Sequence, residues 1–176
     1  LDAFARLLGV DHDEFDRLAL AAAGADRPLV LPYLDGERTP NRPDARGVLA
    51  GLRSDVERED VARAAVDGVA CGLLDALDAL RALASVDGTL ILTGGGSRSH
   101  ALQAVIAGLV DLPVVVASVD QAVATGAAVQ AAAVAAGVDH AAIQQRWGLG
   151  VGTPANEPCE SGDLRERYAT LRDAGS

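Results

Sequence analysis

Between Ser54 and Leu80 the chain is written for one long helix. Val61, Ala65, Val69, Leu73, Leu77 and Leu80 recur every three or four residues, while Arg58, Arg63, Asp67, Asp75 and Asp78 fall elsewhere. Ser54 and Glu57 have the spacing of a capping box at its start. A helix of about 28 residues is a spine around which the other segments must be arranged. Gly68 and Gly72 lie one turn apart in its middle, and each costs about 1 kcal/mol relative to alanine unless close packing offsets it. Another segment is therefore expected hard against that face. Cys71, on the same helix, reads as a small buried apolar residue.

The flanking segments are short. Leu1 to Gly9 places Leu1, Phe4, Leu7 and Leu8 at helical spacing, and Asp13 to Ala23 does the same with Phe15 and Leu18. Leu29 to Leu31 is an apolar run stopped by Pro32, and Gly47 to Leu52 is a candidate strand. Thr89 to Leu92 and Val114 to Val116 read as buried strands. The alanine-dense helix Ala122 to Ala136 has the small residues that permit close approach to a sheet. Ala141 to Trp147 is a turn or two of helix, Gly148 to Gly162 a loop, and Asp163 to Ala174 a polar helix with Leu164, Tyr168 and Leu171 on one face. Residues 148–176 thus form a loop and tail helix at the end of the 176-residue chain. Strands alternating with helices predict an α/β layer structure with parallel strands. Three or four strands make a small sheet for this length, which suggests part of a larger fold.

Composition narrows the chemistry. The formal net charge of −10 disfavours nucleic acid or an anionic membrane as partner. All 15 basic residues are arginine, so lysine Schiff bases, lysine general bases and P-loop lysines are excluded. The two cysteines lack CxxC spacing, and a reducing, cytoplasmic setting is the simpler expectation. No stretch of about 18 apolar residues and no signal-peptide pattern is present. The absence of methionine, with Leu1 first, reads as a processed product or a fragment.

The most informative local pattern is Leu90 to His100, LILTGGGSRSH, a strand running through glycines into a helix. Gly94, Gly95 and Gly96 let backbone amides approach an anion or a flat ring, and the helix start offers a positive dipole end with unpaired N–H groups. Ser97 and Ser99 can donate hydrogen bonds or cap the helix, Arg98 can pair with a phosphate, and His100 can contact a base. The alternative is a tight strand-to-helix turn capped by serine. His12 and His140 have no ligand spacing around them, so no metal site is expected. No nucleophile elbow, paired carboxylate motif or HExxH occurs, and no catalytic residue is assigned. The polar loop from Asp35 to Gly47 is long for a compact domain, and in the overlapping stretch Pro32 to Pro40 Glu37 and Arg38 either bridge domains or touch a substrate, or the loop is held by internal ion pairs.

Three stretches, in order, carry a resemblance. Pro32 to Gly47 (PYLDGERTPNRPDARG) leads into GVLAGL at Gly47 to Leu52 and then DVARAAVD at Asp60 to Asp67; Thr93 to Ser99 (TGGGSRS) follows, and ATGAA begins at Ala124. These resemble the C-terminal, nucleotide-binding domain of the FGGY family of carbohydrate kinases, and the first stretch is similar to its xylulokinase branch. The resemblance implies the C-terminal portion of an actin-like, ribonuclease H-like ATPase domain, with its opening strands missing before Leu1. It implies phosphoryl transfer from ATP, with Mg2+, to a ketopentose such as D-xylulose, in a parent of a type that is often a homodimer. The nucleotide-binding residues it implies are Gly94, Gly95, Gly96, Ser97 and His100, with Gly95 and Gly96 against the ribose and α-phosphate and Ser97 flanking them. His100 falls where relatives place an adenine-contacting side chain, often asparagine. The catalytic aspartate is expected in the family's N-terminal domain, so the isolated chain is expected to be inactive. Another FGGY kinase, for gluconate, ribulose or glycerol, and a non-catalytic actin-like nucleotide-binding scaffold are the alternatives.

Overall fold

A computed structural model describes residues 1–24, 26–119, 121–150, 152–160 and 162–174. The elements in chain order are α1 (Asp2–Leu8), α2 (His12–Ala21), β1 (Leu29–Leu31), β2 (Val48–Ala50), α3 (Arg58–Arg81), β3 (Leu90–Leu92), α4 (His100–Leu109), β4 (Val114–Ala117), α5 (Ala122–Ala136), α6 (His140–Arg146), β5 (Gly152–Pro154) and α7 (Leu164–Ala174). A single 3-10 turn, Gly95–Arg98, separates β3 from α4.

Helix α3 is the spine, but it begins later than the Ser54 spacing predicts. Glu57 is its N-cap, and the Asp60 carboxylate accepts the Glu57 N–H at 3.0 Å. The acidic residue at the third helical position closes the box, and Ser54 stays outside. The buried face also differs from the leucine stripe. Ala62, Ala65, Val66, Ala70, Cys71 and Leu74 are buried, whereas Leu73 is 53% exposed. Small residues occupy the inner face because neighbours come in close. A Cβ at Gly68 would collide with the carbonyl of Val30 in β1, and one at Gly72 would stand 3.4 Å from the Tyr168 hydroxyl of α7. The expectation from the two glycines is thereby met by two different partners.

Around this spine pack Phe15 and Leu18 of α2, Val30 of β1, Val105 and Ile106 of α4, Tyr33, and Tyr168 of α7, all in one core. α7 is polar on its outer side and clamped by charge on its inner side. Arg165 meets Asp75 at 2.9 Å, and Arg172 meets the other oxygen of Asp75 at 2.7 Å.

The strands form two small sheets and are not all parallel. β1 and β2 pair antiparallel, with Val30 opposite Leu49. β3 and β4 pair parallel, with Ile91 opposite Val115, and β5 adds to β4 antiparallel, with Val116 opposite Thr153. β5 lies within the segment expected as loop, where Gly152 carries no side chain to clash with the Val116 carbonyl 2.8 Å from its Cβ position. In that segment Val151 and Ser161 lie outside the described residues, as do Gly175 and Ser176 in the tail. β3 and β4 are half-exposed rather than buried, and Ile91 is 57% exposed. Helix α5 does not bury its alanines on the sheet as expected. Its Val129 and Ala133 pack with Ile143 of α6 in a separate small cluster. Among the described residues no single helix is long and apolar enough to cross a membrane; α5 and α6 pass such a test only as a pair bent by 111°.

Candidate functional site

The chain leaves β3 through Gly94, whose φ of 85° is left-handed and suits glycine. Ser97 then folds back on it: its N–H and its hydroxyl both donate to the Gly94 carbonyl, at 3.1 and 2.7 Å. Ser99 is the N-cap of α4 and its Oγ accepts the Leu102 N–H at 3.1 Å. Ser97 thus shapes the turn while Ser99 caps the helix.

The first amides of α4 do not point free. The Asp16 carboxylate, from α2, accepts the His100 N–H at 3.0 Å and the Ala101 N–H at 3.1 Å, and also the Ser99 hydroxyl. The unpaired N–H groups expected there for an anion are already taken by a charge supplied from within the protein. Gln103, buried beneath the turn, donates to the Ser97 carbonyl at 2.8 Å and accepts the Asn156 N–H at 3.2 Å. Asn156 in turn lies 3.2 Å from His100 Nδ1 through its Oδ1. Asp16, Gln103 and Asn156 were not singled out by sequence reasoning, because each acts on the turn from outside its local pattern.

A cleft of about 770 Å³ opens beside the turn. Gly95, Gly96, Arg98, Ser99 and His100 form one side, and Leu1, Asp2, His12, Asp13, Phe15 and Asp16 the other. Of the predicted site residues, Gly95, Gly96 and His100 line it, whereas Gly94 and Ser97 form the turn behind it. At Gly95 a Cβ would meet nothing within 4 Å, so neither packing nor a left-handed φ requires glycine there. The wall from α1 and α2 carries three carboxylates, with His12 Nε2 3.6 Å from Asp2. An anionic group in the cleft is therefore repelled from the α1 and α2 wall, toward the glycine side. Such a volume is in the range of small-molecule sites. Among the described residues no group of three or more His, Cys, Asp and Glu side chains could hold a metal ion.

The Pro32–Pro40 loop is fixed by backbone pairing rather than by internal ion pairs. Glu37 and Arg42 exchange N–H···O bonds at 2.9 and 2.8 Å, and the Glu37 carboxylate accepts the Arg38 and Thr39 amides. Arg38 is exposed at its tip.

The model of the C-terminal domain of the FGGY family of carbohydrate kinases matches residues 6–135. This chain belongs to that family. The FGGY match covers α2, the glycine turn and the start of α4, which line the cleft together with Leu1 and Asp2. A xylulose kinase of Streptomyces coelicolor is 42% identical over 153 residues, 86% of this chain and 30% of the relative. A gluconokinase of Bacillus subtilis is 35% identical over 113 residues, 62% of this chain and 22% of the relative. The solved xylulose kinase of Bifidobacterium adolescentis superposes with a TM-score of 0.73 at 36% identity, over 97% of this chain and 33% of that one. The chain therefore spans about a third or less of the FGGY proteins it matches, and its α/β fold is the C-terminal portion of their actin-like ATPase architecture.

Proposed function

We propose that this chain supplies the nucleoside side of the ATP site in a carbohydrate kinase that phosphorylates D-xylulose to D-xylulose 5-phosphate. The observation that carries the reading is Gly95, a glycine that its own protein does not need, facing open cleft. A ligand approaching the backbone closely is one reason for a glycine that lines a cleft. In this reading Gly94 and Ser97 hold the turn, Gly95 and Gly96 lie against ribose and α-phosphate, and His100 borders the base. The acidic wall opposite keeps the phosphates on the turn side.

The reaction forms a bond between a sugar hydroxyl oxygen and the γ-phosphorus and breaks the bond from that phosphorus to the β,γ-bridging oxygen. The hydroxyl proton passes to a carboxylate, which the family resemblance puts in the domain outside this chain. The described residues do not form a Mg2+ donor set. For the same reasons the chain alone is expected to give no turnover in a coupled ADP-release assay with D-xylulose. The two free cysteines, Cys71 and Cys159, support a cytoplasmic setting.

The test is Gly95→Val in the complete protein. The KM for ATP should rise about ten-fold or more, with thermal stability near that of the unsubstituted protein. An unchanged KM sinks the reading. Gluconate is the second substrate reading, favoured by the gluconokinase relative. Comparing kcat/KM for D-xylulose and gluconate decides between them.

A further inference from the structure

We infer that Asp16 is a positioning residue for the nucleotide cleft, setting the distance between its two walls and directing which end of the nucleotide meets α4. The inference rests on the ATP reading above. Three donors from one short stretch, the Ser99 hydroxyl and the His100 and Ala101 amides, converge on a single carboxylate 83 to 85 residues away in sequence. Charge-assisted bonds of this kind are the strong ones, and a carboxylate at a helix N-terminus gains further from the dipole. Asp16 is half-buried and lines the cleft itself. It is thus the pin between α2, which bears the acidic wall, and the turn that bears the glycines.

Two consequences follow. The α2 wall cannot drift from the glycine turn without breaking three bonds at once. The start of α4, otherwise the strongest anion site near the cleft, already holds a negative charge, so phosphates are turned away from it toward the amides of Gly95 and Gly96. The base is left for the stretch bounded by His100.

The charges facing Asp16 give the test its sign. Asp13 and Asp2 line the same wall, and among the described residues Asp13 makes no hydrogen bond to the turn. Simple removal of negative charge should tighten ATP, and Asp13→Asn is expected to do so. Asp16→Asn removes the same charge but also leaves a donor facing an amide, and is expected to raise the KM for ATP about ten-fold while the KM for the sugar stays put. Asp16→Glu keeps the charge and lengthens the tie; it should shift the KM for ATP in the same direction by less, and it carries the test if Asp16→Asn does not fold. A lowered Tm with an unchanged KM for ATP would show a helix cap only and overturn the proposal, as would tightening in parallel with Asp13→Asn. Failure of the unsubstituted complete protein to bind ATP overturns the ATP reading and this proposal together. Normal ATP binding with unaltered variants overturns this proposal alone.

Discussion

At Gly68 an added methyl group would strike the backbone of β1, whereas at Gly95 it would enter empty cleft. Gly68→Ala is therefore expected to destabilise the fold by about 1–3 kcal/mol, because overpacking against a backbone carbonyl forces α3 and β1 apart. Urea denaturation of the complete protein measures this, and a midpoint equal to that of the unsubstituted protein would refute the packing account. Cys71 gives a prediction in pH. Burial pushes its thiol up to about 12, well above the ordinary thiol range near 9. In the unfolded chain the thiol ionises first, so between about 9 and 12 the unfolded state binds fewer protons than the folded one. Its contribution to stability is full below that window and falls as pH rises through it. Alkaline unfolding curves of Cys71→Ala and the parent should converge across that interval. A thiol reagent at pH 8 should spare Cys71 until denaturant is added.

Helix α7 is held by few contacts of large individual consequence. Asp75 is almost buried and receives both Arg165 and Arg172, so Asp75→Ala leaves two guanidinium groups with reduced compensation. Since those arginines are about a quarter exposed, the loss should be about 2–3 kcal/mol rather than the full cost of a buried pair. Chemical denaturation again provides the reading, and limited proteolysis should cut within α7 first. The positions of α1, α3, α4 and α7 were legible because periodicity is local, although α3 is capped by Glu57 and not by Ser54. Other features were not. The inner face of α3 is set by how closely β1 and α7 approach, which favours Ala65, Ala70 and Cys71 over the larger Leu73 that the pattern picks. β5 consists of Gly, Thr and Pro, in which one strand-favouring Thr153 sits between two residues depleted in strands, and it pairs along the edge of β4. The glycine turn was legible from LILTGGGSRSH, but Asp16, Gln103 and Asn156 reach it through the fold, and no spacing in one sequence records such a meeting.

As a whole, the molecule is one core around α3 with a side cluster attached. Phe15, Val66, Val105 and Tyr168 share that core, while Val129, Ala133 and Ile143 form a cluster of their own, with Val134 of α5 83% exposed. The cleft lies against the main core, between α2 and the turn leading into α4. Elements that share few apolar contacts open separately, at a free energy below that of global unfolding. The α5–α6 hairpin should therefore behave as its own unit of opening. Its amides should exchange with deuterium well before those of α3, and nucleotide should slow exchange in the turn and α2 more than in the hairpin. Uniform exchange across α3, α5 and α6 would contradict this division. A protein arranged in this way can lose and regain one pair of helices while the pinned turn keeps its shape.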